Sequence, residues 1–227
     1  MTSSRTEILA RIRRAKQQAV LPDVTGITPA PPDPPPFQRP LIDVFEERLR
    51  AVQGVPHRMS SVDEVADFIA ELCQEQGQTS LLGWKILPMP GLPEALEARH
   101  ITLLPSDLAD AQRKQALAEL GHLLVGVTGA AAGLARTGSL ALHEDDSHGR
   151  LASLMPDIHI ALLPVDRLYA DIVAWIAEAE TAQRIVESSN TVIITGPSRT
   201  ADIAQTLTLG AHGPRELHVI LIPPAHT

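Results

Sequence analysis

One cysteine, Cys73, stands among 227 residues. A disulfide framework within the chain is therefore impossible. An iron–sulfur cluster held by this chain alone is equally excluded, since it takes about four thiolates. Cys73 falls on the apolar side of the helical pattern EVADFIAELCQEQG, the place of a small core residue. Aromatic residues make up only 3% of the chain, so Leu, Ile, Val and Ala must build the core. Basic residues number 19 against 27 acidic ones, a formal net charge of -8. That balance argues against nucleic acid as a partner, because phosphate neutralisation needs a basic face. No apolar run reaches the roughly 20 residues of a membrane span. MTSSRTEILARIRRAK also lacks the apolar centre of a signal peptide, so the expectation is a cytoplasmic protein with no membrane span. The G-x-G-x-x-G and G-x-x-x-x-G-K-[ST] patterns are missing too. Gly126, Gly129 and Gly133 have the wrong spacing, which removes both standard routes to nucleotide binding.

What is present divides near residue 40. Arg5, Arg11, Arg13, Arg14 and Lys16 surround Ile8, Leu9 and Ile12 at the spacing of a short amphipathic helix. In Thr28 to Pro40 seven of thirteen residues are proline, an extended spacer. The expected organisation is an N-terminal helix plus spacer over 1–40 and one domain over 41–227. In the second part LIDVFEERLRAVQG reads as a helix ended by Gly54, and Ser61-Val-Asp-Glu64 is a capping box opening another. LPEALEA, SDLADAQRKQALAELG and VDRLYADIVAWIAEAETAQRIV read as further helices. SLLGW, HITLLP, HLLVGVTG, GSLALH, IHIALLP, NTVIITG and ELHVILI read as strands, several wholly apolar as in buried parallel sheets. Alternation of the two predicts an α/β fold in three layers, α/β/α, with helices on both faces of the sheet.

Ligands of such sheets gather beyond the carboxyl ends of the strands. Two turns there draw attention. One runs from Gly126 through Thr128, Gly129 and Gly133 to Thr137-Gly138, where small residues permit close backbone approach. The other is TVIITGPSRTADI. If a helix begins at Pro197, with Gly196 as its cap, the amides of Ser198 and Arg199 face an anion. Ser198, Arg199 and Thr200 would add hydroxyls and a forked cation, which suits a small carboxylate or phosphate. Ser198 capping the helix, with Arg199 paired to Asp202, is the alternative. On this reading Gly210 ends the helix, about 15 Å from its start. His212 would then reach such a site only across a homodimer interface.

Among nine histidines, His159 lies inside an apolar strand, where a hydrogen-bonded core role competes with catalysis. His143-Glu-Asp-Asp-Ser-His148 has metal-ligand residue types, but a loop position favours a solvated turn, so no metal is expected. No nucleophilic triad or paired-carboxylate pattern stands out. His159, Asp202 and His212 are the only catalytic candidates.

The motifs GVTGAAAGLARTGSLAL, RLASLMPDIHIALLP, TVIITGPSRTADI and LGAHGPRELHVILI, in that order, resemble the LUD-domain family, and within it the lactate-utilisation protein C group. The resemblance covers about residues 120–223. It implies a layered domain like those of sugar-phosphate isomerases and CoA transferases (NagB/RpiA/CoA transferase-like). It also implies a part in oxidising L-lactate to pyruvate beside cysteine-rich iron–sulfur partner proteins, which would carry the clusters this chain cannot. The motif members are Thr128, Gly129, Thr137, Gly138, Pro156, His159, Gly196, Pro197, Ser198, Arg199, Thr200, Asp202, His212, Gly213 and Pro214. Arg136 and Ala204 depart from the pattern, since many relatives carry an acidic residue at each. Two other functions stay open: an independent enzyme acting on a phosphorylated or CoA-linked small molecule, and an interaction module.

Overall fold

The computed structural model describes residues 4–18, 35–106, 120, 122–145, 147–201, 207–209 and 213–224. The chain separates into two units, Met1–Pro35 and Pro36–Thr227. The first contains α1, Ser4–Gln18, on which Ile8, Leu9 and Ile12 are exposed. The expected helix SDLADAQRKQALAELG lies outside the described residues, apart from Ser106 and Leu120.

The second unit is built on a six-stranded parallel sheet of β1 (Val55–Arg58), β2 (Ser80–Gly83), β3 (Thr102–Pro105), β4 (Val125–Gly129), β7 (Ile158–Pro164) and β12 (Glu216–Ile222). Their order is β1-β12-β7-β4-β2-β3. Every residue of β4 and β7 is buried, as their near-continuous apolar runs require of central parallel strands. Side chains alternate between the faces. Ile158, Ile160, Leu162 and Ile220 meet Val65 and Ile69 of α3 (Val62–Glu75) and Leu92 and Leu96 of α4 (Leu92–Glu97) on one face. Ala161, Leu163, Val219 and Leu221 meet Phe45 and Leu49 of α2 (Leu41–Ala51) on the other. Helix α3 starts as its sequence dictates. Ser61 Oγ accepts from the Glu64 N–H at 3.2 Å, and Glu64 Oε2 accepts from the Ser61 N–H at 3.3 Å. Helix α2 ends one residue earlier than its glycine suggests: Gln53 takes the left-handed position at φ 67, and the Gly54 N–H closes onto the Leu49 carbonyl.

Cys73 is fully buried on α3, and burial pushes its thiol up to about 11. Thiolate is the reactive form. The native chain is therefore expected to ignore a thiol reagent at pH 8 and to titrate one thiol after unfolding. Rapid labelling of the native chain would contradict the packing.

A second, four-stranded sheet has the order β8-β5-β6-β9, from β5 (Ala132–Leu134), β6 (Ser139–Glu144), β8 (Leu168–Tyr169) and β9 (Asn190–Ile194). Here the sequence expectations need correcting. The turn after β4 leads into strands β5 and β6. GSLALH and NTVIITG are strands, as expected, but of this second sheet. Residues 165–186 are not one helix. A 3-10 turn (Val165–Arg167) and β8 precede α6 (Ile172–Ile176) and α7 (Ala179–Glu187). Leu168 and Tyr169 pair with Gly133 and Leu134, and that ladder overrides their helical pattern. Asp171 then caps α6 by accepting from the Ala174 N–H at 3.0 Å. Between β4 and β7 the chain also forms α5, Leu151–Leu154.

The GPSRT turn starts no helix. β10 (Arg199–Ala201) pairs antiparallel with β11 (Leu207–Leu209), so extended backbone stands where the first and last helical turns were expected. The Ser198 N–H, expected to be free for an anion, donates to the Pro214 carbonyl at 2.8 Å.

Candidate functional site

Strand order locates the site. From β2 the chain continues outward to β3, whereas from β4 it proceeds to β7 on the opposite side. Neighbours β2 and β4 thus feed connections running in opposite directions. Such a switch point leaves a crevice beyond the strands' carboxyl ends. A cleft of about 260 Å³ lies there. Its floor comes from Trp84 just after β2, Gly129 to Ala131 from the end of β4 onward and Pro164 at the end of β7. His143, Asp145 and His148 line it from β6 and the following turn, and Trp175, Glu180, Thr181 and Arg184 from α6 and α7. Arg167 and the Ile86–Pro88 segment complete the wall. The volume falls just below the roughly 300–1,000 Å³ of drug-sized pockets, which suits a small metabolite.

Only two tryptophans occur in the chain, Trp84 and Trp175, and both line this cleft. Trp84 is fixed by donating its Nε1–H to the Gly149 carbonyl at 3.1 Å. Trp175 stacks on His143 with ring centroids 5.4 Å apart. A Cβ on Gly129 would lie 2.9 Å from Pro88 Cδ and 3.3 Å from Trp84 Cζ3, so the floor admits no side chain there.

Charge in the cleft is divided. Burial, then the nearby Arg184 cation, lowers the His143 pKa despite opposing help from Asp145, so His143 stays neutral. His143 Nδ1 lies 3.0 Å from Thr191 Oγ1. Burial alone would raise the Asp145 pKa, but hydrogen bonds from the Ser147 N–H and His148 outweigh it and keep the carboxylate ionised. His148 Nδ1 sits 2.6 Å from Asp145 Oδ1. Arg184 stands on the same face of α7 as Glu180 and Thr181, yet it forms no salt bridge among the described residues. An exposed arginine in a cleft walled by two tryptophans presents paired N–H donors to a carboxylate.

The residues expected from sequence fall into three groups. Gly129 lines the cleft; Thr128, the residue before it in β4, is buried, with Oγ1 2.8 Å from His159 Nε2. The second group packs on the end of α2. A Cβ on Gly138 would come within 2.4 Å of the Arg48 carbonyl carbon and the Leu49 nitrogen, and one on Gly196 would touch the Val52 oxygen. Both glycines have positive φ, 66 and 77. Ser139 Oγ ties Thr137 at 2.7 Å to Thr195 at 2.8 Å, and Arg199 Nη2 donates to the Val52 carbonyl at 3.4 Å. Ser198 sits beside Gly213, whose Cβ would lie 3.3 Å from Ser198 Cβ, so no ten-residue helix separates the GPSRT turn from the AHGP segment. Thr200 belongs to the β10 ladder, opposite Thr208. The third group, Asp202 and His212, lies outside the described residues.

HEDDSH is no simple solvated turn. His143 belongs to β6, Glu144 is buried, and three of its residues line the cleft. Among the described residues no three metal-ligand side chains converge. Arg136 is occupied by Asp171 (Nε to Oδ2, 3.3 Å) and by the Phe37 ring, 4.6 Å below its guanidinium carbon. Sequence reasoning missed both tryptophans, Arg167 and Arg184. The signal was available in part, since two tryptophans in so aromatic-poor a chain mark a special surface.

Burial pushes the His159 pKa down to about 3 and keeps the ring neutral. An unfolded histidine titrates near 6.5, so the unfolded chain binds the extra proton first as pH falls. The neutral ring's contribution is complete above about pH 6.5 and is lost on acidification towards pH 3. At pH 5 the domain should be weaker by about 2 kcal/mol from this residue. Urea unfolding of wild type and His159→Gln at pH 7 and pH 5 checks it: the variant should lose less on acidification. An equal loss would contradict the buried neutral ring.

A family model described as the LUD domain matches residues 42–222. An uncharacterised protein of Neisseria meningitidis is 39% identical over 44% of this chain and 43% of that protein, so the match spans less than half of that relative. The lactate utilization protein C of Shouchella clausii is 32% identical over 80% of this chain and 79% of its own. That of Macrococcus caseolyticus is 27% identical over 72% and 70%. A crystal structure of a DUF162 family protein from Deinococcus radiodurans superposes with a TM-score of 0.56 at 22% identity, covering 83% of this chain and 99% of that one, a likeness of fold alone. Relatives matching over most of their length and a domain model spanning the whole sheet place this chain in the LUD-domain family, in its lactate-utilisation protein C group.

Proposed function

We propose that the chain serves lactate utilisation as the component that binds a small carboxylate, and that the cleft at the β2–β4 switch point is where it does so. The observation that carries this reading is Arg184, a cation without a salt-bridge partner among the described residues, beside two tryptophans in a cleft of metabolite size. The names of the Shouchella and Macrococcus relatives support the lactate connection. Electron transfer belongs to cysteine-rich iron–sulfur partners on this reading, because the chain's single thiol is buried in the α3 core. Deleting the gene should abolish growth on L-lactate, and affinity purification from lactate-grown cells should recover cysteine-rich partners. Unimpaired growth on lactate would contradict the role. Growth loss without such partners would confine it to this chain alone.

A further inference from the structure

Resting on the reading of the cleft as a carboxylate site, we infer that it selects 2-hydroxy acids by their hydroxyl group, with His148 Nε2 accepting the hydroxyl hydrogen and Asp145 positioning the ring. The tautomer follows from the hydrogen bond. A carboxylate only accepts, so the Nδ1 that lies 2.6 Å from Asp145 Oδ1 carries the proton. In the neutral imidazole Nε2 is then an acceptor, and it has no partner among the described residues. Both members of the pair are held in place. Asp145 Oδ1 also accepts from the Ser147 N–H at 2.8 Å, and the His148 N–H closes the turn onto the Asp145 carbonyl at 3.2 Å. The His148 ring stands edge-on to Trp84 at 4.6 Å between centroids. Trp84 is itself pinned to Gly149 on the far side of the same turn. A preoriented acceptor, a cation and two aromatic walls thus share one small cleft.

The chemistry of selection is that of a donor requirement. L-lactate offers a carboxylate to Arg184 and an O–H to His148. Pyruvate replaces that O–H by an acceptor oxygen, which meets the Nε2 lone pair, and propionate has nothing there. No covalent step is involved.

Calorimetric titration of the full chain with L-lactate, pyruvate and propionate at neutral pH tests this. Wild type should bind L-lactate roughly ten-fold more tightly than either analogue, a conventional value for one hydrogen bond formed or denied. His148→Leu should lower lactate affinity to the propionate level and leave propionate unchanged. Asp145→Asn should shrink the lactate-to-propionate ratio with an unchanged melting temperature, and Asp145→Glu should restore part of it. Equal affinities for all three acids in wild type would overturn the inference while sparing the carboxylate site. So would a uniform loss for all three in His148→Leu. Failure of all three acids to bind would overturn the carboxylate reading and this inference together.

Discussion

Gly138→Ala should lower the melting temperature by roughly 6–12 °C. Two costs add. Gly138 has φ 66, where an L-residue loses about 1–2 kcal/mol. The new Cβ would also come within 2.4 Å of the Arg48 and Leu49 backbone, and forced repacking against backbone costs about 1–3 kcal/mol. Together they amount to about 3 kcal/mol, and a domain of this size loses roughly 2–4 °C per kcal/mol. Neither backbone can yield easily. Helix α2 is fixed to β1 by Arg58, which reaches Glu46 Oε1 at 2.5 Å and Asp43 Oδ1 at 2.7 Å. Phe45 and Leu49 are fully buried against the main sheet. Differential scanning calorimetry checks the expectation. A shift below 2 °C would mean that α2 does not press on the Thr137-Gly138 turn as described.

Arg184→Ala should act in the opposite way, on binding and not on folding. Arg184 is exposed on α7, so its removal should leave the melting temperature within about 1–2 °C of wild type. A hydrogen bond between charged groups contributes about 1.5–3 kcal/mol, so carboxylate affinity should fall roughly 10- to 100-fold. Arg199→Ala is the informative comparison. Arg199 lies on β10, with its guanidinium on the Val52 carbonyl, and does not line the cleft. Carboxylate affinity should therefore survive its loss. If Arg199→Ala abolishes binding and Arg184→Ala does not, the ligand sits at the GPSRT turn and the cleft has another use.

How much of this was legible in the sequence varies with range. Near-continuous apolar runs such as IHIALLP announced buried parallel strands, and Ser61 and Glu64 wrote the start of α3 in local code. Cys73 was recognisable as core because helical spacing alone sets its face. The reading of GPSRT as a helix start failed because proline and glycine chemistry fits a helix start and a tight turn equally well. Pairing with later segments decided between them, through the β10–β11 ladder and the Ser198 bond to Pro214. Leu168 and Tyr169 failed for the same reason, drawn into strand by β5. The cleft itself was hidden because its lining comes from segments far apart in sequence, brought together only by the order of the strands. Gly129 was found because its motif lies at a strand end. Arg184 was not, because an arginine on a helix looks like any solvated charge until its surroundings are known.

The two tryptophans make the central claim directly measurable, since both line the cleft and the chain has no others. Titrating L-lactate into the full-length chain while following the two indole N–H resonances should give saturable shifts of both signals. The same titration of Arg184→Ala should need roughly 10- to 100-fold more lactate to reach the same shifts. Unmoved indole signals in wild type at lactate concentrations that calorimetry shows to be saturating would contradict the account, because the ligand would then be binding elsewhere.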